Sequence, residues 1–342
     1  MPIFAKCLPV LAAAALTTMA ATTVAAAFTA CQVTDTGGID DNSFNQTAWK
    51  GVQDAQATLG INGRFLESQA ETDYEANLNS LVGGDCDVII TVGFLLGDAT
   101  KEAAEANPDQ KFSIVDFAYD PVVPNVLGQV YATDQAAFLA GYLAAGMTKT
   151  DIVGTFGGIN IPPVTIFMDG FVRGVNHHNA QKGTSVSVLG WDVESREGLF
   201  TNNFDSLDDG RAFAQNLFDE GADIVLPVAG PVGLGSAALA DELGTDALKI
   251  IGVDADLYFT DPEKQHVYLT SITKRMDATV LAVIEAAMND TFEGGLIVGT
   301  LENGGVDLAP FHDMEDVVPD ALKAELDALR AAIIDGSVDV SM

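Results

Sequence analysis

Asp35, Ser43, Phe44 and Asn45 belong to one short segment, Asp35-Thr36-Gly37-Gly38-Ile39-Asp40-Asp41-Asn42-Ser43-Phe44-Asn45. A carboxylate, a hydroxyl, an aromatic ring and an amide gathered this closely suit a small molecule with one flat apolar face and several hydroxyls. The segment follows the short apolar run Gln32-Val33-Thr34 and leads into a helical pattern from Ala48 to Leu59. It therefore reads as strand, glycine turn and helix start. Such a position offers free backbone N–H groups and the positive end of a helix dipole to a polar ligand. An ordinary turn with an Asp or Ser cap would use the same residue types, so the other strand ends have to decide.

They repeat the pattern. Ile89-Ile90-Thr91-Val92 ends in Gly93-Phe94, Phe112-Ser113-Ile114-Val115 in Asp116, Val225-Leu226-Pro227-Val228 in Ala229-Gly230, and Ile250-Ile251-Gly252-Val253 in Asp254. In open α/β sheets, ligands bind just beyond the carboxyl ends of the strands. One such Asp is readily a helix cap; the whole set is more than a core requires. Phe44 at a helix start and Phe204 in the loop Asn202-Asn203-Phe204-Asp205 fit no apolar period, and two facing rings clamp a flat heterocycle well. Lys274, in Thr273-Lys274-Arg275, is a cation at an element boundary of a very acidic chain.

The elements that must hold these residues alternate in kind. Strands are expected at 31–35, 63–67, 87–92, 111–116 and 126–131, with helices at 43–58, 73–82, 97–106 and 134–147. A second series of strands is expected at 151–156, 184–190, 223–228, 249–253 and 267–272. Its helices fall near 164–180, 207–219, 232–243 and 274–289. The strands are apolar runs without strict alternation, as expected when both faces are covered. A βαβα order repeated twice implies parallel sheets with right-handed crossovers. The break falls near Gly146 to Thr150. A hairpin-like region at 296–308 and a last helix from Pro319 to Ile334, stopped at Gly336, complete the chain.

The expected organisation is a leader at 1–27, an N-terminal α/β lobe at 28–148, a C-terminal α/β lobe at 149–255, and hinge crossings plus elements added to both lobes over 256–342. The leader has Lys6 before an Ala/Leu-rich run and ends in the small residues Val24-Ala25-Ala26-Ala27, the pattern of an export signal. Threonines interrupt it, and its strongly apolar part is shorter than the ~20 residues of a membrane span. Cys31 just beyond weakly resembles a lipoprotein cleavage box, with Phe28 where Leu is usual and no tether before the first strand. A disulfide is the better reading. Cys7 leaves with the leader, so Cys31 and Cys86 remain, at the starts of strands that neighbour each other in a sheet of order 2-1-3.

With 16 basic against 49 acidic residues the chain carries a net charge of −33. Such a surface repels nucleic acid and anionic lipid. No metal site is expected: His177-His178 point to different helix faces, without a Cys or His at a useful offset. No G-x-G-x-x-G follows the first strand, so no dinucleotide or other cofactor is expected.

In Thr34-Asp35-Thr36-Gly37-Gly38-Ile39-Asp40-Asp41-Asn42-Ser43-Phe44-Asn45, Thr91-Val92-Gly93-Phe94, Ile251-Gly252-Val253-Asp254 and Ser271-Ile272-Thr273-Lys274-Arg275, the chain resembles the basic membrane protein family of bacterial solute-binding proteins. That family includes purine-nucleoside receptors of ABC importers. The resemblance implies a type I periplasmic-binding-protein fold: two doubly wound parallel-sheet lobes with a hinge and an interlobe ligand cleft. It implies that Phe44 and Phe204 sandwich a base, that Asp116 accepts hydrogen bonds from the base edge, and that Asp254 and Lys274, with Asp35 and Ser43, sit near ribose hydroxyls. Asn45, Phe94 and Gly230 complete the expected lining. It also implies a non-enzymatic protein that delivers a nucleoside to an ABC permease in the membrane; with the leader, the expectation is an exported monomer, periplasmic or cell-surface associated.

Two rival readings use the same residues. A sugar or other small-solute receptor of the same fold would use Trp49 or Trp191 as its platform. A Ca-dependent nucleoside hydrolase would use Asp35 and Asp40-Asp41 as oxygen ligands, though the spacing is one residue shorter than in those enzymes and the second Asp and the Pro of their motif are missing.

Overall fold

The computed structural model describes residues 1–2 and 27–341. The expected leader, with Lys6 and Cys7, lies outside the described residues apart from Met1, Pro2 and Ala27.

From Thr29 the chain runs through β1 (Thr29–Val33), α1 (Phe44–Leu59), β2 (Asn62–Leu66), α2 (Tyr74–Val82), β3 (Val88–Val92), α3 (Gly97–Ala106), β4 (Lys111–Val115) and β5 (Val126–Tyr131). Next come α4 (Thr133–Met147), β6 (Ile152–Gly157), α5 (Pro162–Lys182), β7 (Ser187–Leu189), a small hairpin of β8 (Trp191–Asp192) and β9 (Glu197–Gly198), and α6 (Leu207–Asp219). These are followed by β10 (Ile224–Val228), α7 (Gly233–Leu243), β11 (Lys249–Asp254) and α8 (Leu257–Thr260). The last elements are β12 (Tyr268–Lys274), α9 (Met276–Met288), β13 (Gly295–Gly299), β14 (Val306–Leu308) and α10 (Asp320–Ile334).

Two six-stranded sheets result, one per lobe. The first has the order β13-β5-β4-β3-β1-β2 and the second β14-β12-β11-β10-β6-β7. All pairings within them are parallel except β12 with β14. Every residue of β1, β3 and β10 is buried, which is why these strands read as unbroken apolar runs. The disulfide forms as expected: Cys31 and Cys86 are bonded across 5.8 Å between Cα atoms. It ties the middle of β1 to the turn before β3, within the core beneath α2 and α3.

The hairpin-like reading of 296–308 is overturned. β13 pairs parallel with β5 in the first sheet, whereas β14 pairs antiparallel with β12 in the second. Thr300 to Gly305 has the chemistry of a tight turn, with the Asn303 side-chain oxygen accepting from the N–H groups of Thr300 and Gly305. That chemistry serves a crossing between sheets as well as a hairpin, so local sequence does not separate the two.

Among the described residues, three segments cross between lobes. α4 follows β5 of the first sheet but packs on α5, α10, β12 and β14, so the first crossing lies at Ala132 and not at the composition break near 146–150. α9 follows β12 of the second sheet and packs on α1, β3 and β4, which puts a crossing at Arg275. The third is 300–305. Backbone bonds join them: Ala132 N–H donates to Gly299 O at 2.8 Å and Arg275 N–H to Gly305 O at 2.9 Å.

Candidate functional site

The strand ends of both sheets converge on the space between the lobes. From the first lobe, the β1–α1 loop brings Asp35, Asp41, Phe44 and Asn45; the turn after β3 brings Gly93 and Phe94; Asp116 follows β4. From the second, Phe204 comes from the β9–α6 loop, Gly230 from the turn after β10, Asp254 from the end of β11 and Lys274 from the end of β12. These residues line one cavity with about 580 Å³ of space not filled by protein atoms, part of it open to solvent. Nine of the ten residues expected from sequence therefore meet there. Ser43 does not line the cavity: its hydroxyl donates across the cleft to Val253 O at 3.1 Å and lies 3.3 Å from Asp254 Oδ2.

The helix start is not open in the way the sequence suggested. Asp41 is buried, and its carboxylate accepts from the N–H groups of Ser43, Asn45 and Gln46 at 3.0, 2.8 and 3.0 Å. The chain caps its own helix and removes those donors from a ligand's reach. Burial pushes the Asp41 carboxyl up to about 7, against the three N–H bonds that hold it down. Asn45 uses its amide Nδ2 to join Asp35 Oδ1 at 2.7 Å and Asp41 Oδ2 at 3.2 Å. Gly37 N–H also donates to Asp35 Oδ1, at 3.0 Å. Asp35 Oδ2 accepts from no described residue. Gly93, at φ +124°, stands beside that oxygen, where a Cβ would lie 3.0 Å from it. Burial raises the Asp35 carboxyl, opposed by the Asn45 and Gly37 bonds and reinforced by the charges of Asp254 and Asp116.

Opposite, Lys274 forms the electrostatic centre. Its Nζ lies 2.7 Å from Asp116 Oδ2 and 3.4 Å from Asp254 Oδ1. The ammonium is also 5.0 Å from the Phe44 ring centroid, 5.3 Å from Phe167 and 5.6 Å from Tyr131, in cation–π range of each. Burial works against the charged amine, but Asp116 and Asp254 outweigh it and carry Lys274 above the ordinary lysine value. Burial likewise lifts Asp116, with Lys274 acting against the rise. Both aspartates sit in the left-handed region, Asp116 at φ +65° and Asp254 at φ +69°. Non-glycine residues seldom adopt it, and here it turns each carboxylate from the strand end toward the cleft.

Phe204 is held by a different device. Its ring lies against Gly158, where a Cβ would meet ring carbons at 2.2 and 2.5 Å. Its loop is hydrogen-bonded to the end of β6 through Thr201 N to Gly157 O and Asn202 N to Gly158 O. The preceding hairpin is anchored to α5: Trp191 Nε1 donates to Asp169 Oδ1 at 2.8 Å, while Arg196 donates to Asp169 Oδ2 at 2.5 Å and to Thr165 Oγ1 at 2.9 Å.

Sequence reasoning missed Asp41 as a lining residue, and also Ile161, Pro163, Val164 and Phe167 at the start of α5. A signal was present: β6 ends in Gly157-Gly158, the same kind of strand end as Gly93 and Gly230. Among the described residues no group of three or more His, Cys, Asp or Glu is arranged to hold a metal ion, and no helix is long and apolar enough to cross a membrane.

A family described as "ABC transporter substrate-binding protein PnrA-like" matches residues 28–341. Curated relatives include the "CD4+ T-cell-stimulating antigen" of Listeria monocytogenes, 33% identical over 92% of this chain and 88% of that one. The "ABC transporter nucleoside-binding protein BmpA" of Lactococcus lactis is 31% identical over 90% and 87%. "Basic membrane protein A" of Borreliella burgdorferi is 30% identical over 89% and 85%. Among solved structures, an ABC transporter solute-binding protein of Aeropyrum pernix superposes with a TM-score of 0.82 at 24% identity, covering 91% of this chain and 92% of that one. The chain belongs to the PnrA-like family of ABC transporter substrate-binding proteins, and its two lobes have the type I periplasmic-binding fold.

Proposed function

We propose that this member of the family binds a purine nucleoside between its lobes, outside the cytoplasm, and delivers it as a monomer to the permease of an ABC importer. The observation that carries the reading is that Phe44 and Phe204, from opposite lobes, line one cavity together with Asp35, Asp116 and Asp254. Two rings supply stacking faces for a base. Carboxylates suit the hydroxyls of a ribose and the N–H groups of a base edge, since charge-assisted bonds are the stronger kind. Asp35 Oδ2 and the Asp254 carboxylate are the acceptors for the sugar, and Asp116 with Lys274 meets the base. Ser43 contributes by joining the lobes. The Lactococcus relative named as nucleoside-binding supports the ligand class.

A bound ligand that touches both lobes stabilises the closed form relative to the open one, and the permease can then distinguish the two. The sugar-receptor reading has less support, because neither Trp49 nor Trp191 lines the cavity: Trp49 packs edge-on against Phe65, and Trp191 is bonded to Asp169. The hydrolase reading is weaker again, because Asp41 is engaged by three N–H groups and Asp40 is exposed outside the cavity.

A thermal-shift screen of nucleosides, free bases, hexoses and vitamins tests the proposal. Purine nucleosides are expected to raise the melting temperature by mass action. A rise with hexoses and none with any nucleoside would overturn it.

A further inference from the structure

A second chamber adjoins the nucleoside cavity. It has about 1030 Å³ of space not filled by protein atoms, part of it open to solvent. Phe94, Asp116, Pro163 and Lys274 line both spaces, so they frame the junction between them. Beyond that frame the walls are mostly apolar, with Thr133 and Asp134 as the polar exceptions at the start of α4. Val130 and Val298 are direct neighbours in the β5–β13 pairing and line the chamber together with Phe117 and Ala118 on the first-lobe side. Ile166, from the second-lobe helix α5, lines it opposite them. Val298 is 42% exposed on the edge strand β13. An exposed valine in so acidic a chain is a surface that an apolar group would cover favourably.

We propose that this chamber is a second subsite, which takes an apolar substituent carried on the base edge of the ligand. The chemical class is a purine nucleoside alkylated on its exocyclic amine. The proposal rests on the nucleoside reading above, in which Asp116 and Lys274 meet the base edge. An exocyclic nitrogen bonded there sits at the frame, and a chain attached to it extends into the chamber, where Val130, Val298, Phe117 and Ile166 offer apolar contact away from Thr133 and Asp134. One N–H remains on a monoalkylated amine to donate to the Asp116 carboxylate, so the polar contact survives the substitution. Because the walls come from both lobes, the alkyl group also adds contact that exists only when the lobes are closed, and such contact favours closure.

Calorimetry on the full mature chain with adenosine and N6-(3-methylbut-2-enyl)adenosine tests this. The wild-type chain is expected to bind the alkylated nucleoside at least as tightly as adenosine. Ala118→Trp fills the chamber, and Val298→Asp places a charge in it on an exposed edge strand where folding is not at risk. Each should weaken the alkylated ligand about tenfold or more, the loss expected when several methylenes lose their apolar contact, and leave adenosine binding unchanged. The subsite is overturned, with the nucleoside reading intact, if adenosine binds and the alkylated form does not. It is equally overturned if both variants weaken the two ligands alike. If neither nucleoside binds the wild-type chain, the ligand class itself fails and the subsite with it.

Discussion

Lys274 and Asp116 come from different lobes, yet Nζ and Oδ2 stand 2.7 Å apart with side chains only 3% and 8% exposed. A buried charge pair that spans a cleft couples the lobes as well as the two residues. Removing Lys274 strands the buried Asp116 carboxylate, which typically costs about 3–5 kcal/mol, whereas removing Asp116 leaves Lys274 still paired with Asp254. Lys274→Met is expected to destabilise the chain strongly and Asp116→Asn less, and the double variant to cost clearly less than the two losses combined. Urea unfolding of the four proteins measures the coupling; losses additive to within about 0.5 kcal/mol would show that the charges do not interact.

Phe204 offers a cleaner test of stacking than Phe44, whose ring also covers the Lys274 ammonium. Phe204→Ala should weaken adenosine roughly tenfold, the loss expected from an aromatic contact of about 1.5 kcal/mol, with a modest fall in the melting temperature of the free chain because the ring also packs against the core. Calorimetry reads the first quantity and a thermal melt the second. Unaltered affinity would remove Phe204 from the site.

Asp41 makes stability depend on pH. Burial moves its carboxyl from 3.8 in the unfolded chain to about 7 in the folded one, so between those values the folded state binds more protons. Its contribution is full below the unfolded value and is lost as pH rises through the folded one. Relative to Asp41→Asn, which does not titrate, the wild-type chain should lose stability from pH 4 to pH 7 and then level off. Melting curves of both proteins across that range measure the difference; a gap that widens in the wild type's favour with rising pH would contradict the assignment.

The Cys31–Cys86 bond closes a loop of 55 residues. Loss of a cross-link over a loop of this size is expected to cost about 4 kcal/mol in the chain-entropy view. Cys31→Ser with Cys86→Ser should therefore lower the urea midpoint, and reductant should do the same to the wild-type chain but not to the variant. Equal midpoints would mean that the bond contributes nothing to stability.

Much of the fold and most of the site can be read along the chain, for a physical reason. In a parallel sheet the strand ends are where polar residues interrupt apolar runs, so Gly93, Asp116, Gly230 and Asp254 stand out in one dimension. Phe204 stood out because no apolar period absorbed it. Phe167 did not, because an aromatic residue on a helix face looks the same whether it faces core or cleft. Asp41 was visible, but its choice between capping the helix and meeting a ligand depends on how the loop closes back on α1. The destination of β13 was hidden for a similar reason: the turn after it fits either topology, and pairing with β5 is a long-range choice.

The strip formed by Ala132, Arg275 and 300–305 has a mechanical meaning. Three connections lying side by side and bonded to one another permit bending across the strip, but resist sliding or swivelling of one half against the other. Breaking the chain at one of them still leaves two covalent ties, so a nicked molecule would stay in one piece and keep its jaws in register. Arg275 and 300–305 lie outside the lining of both cavities, so a substitution there acts on the bending and not on the walls.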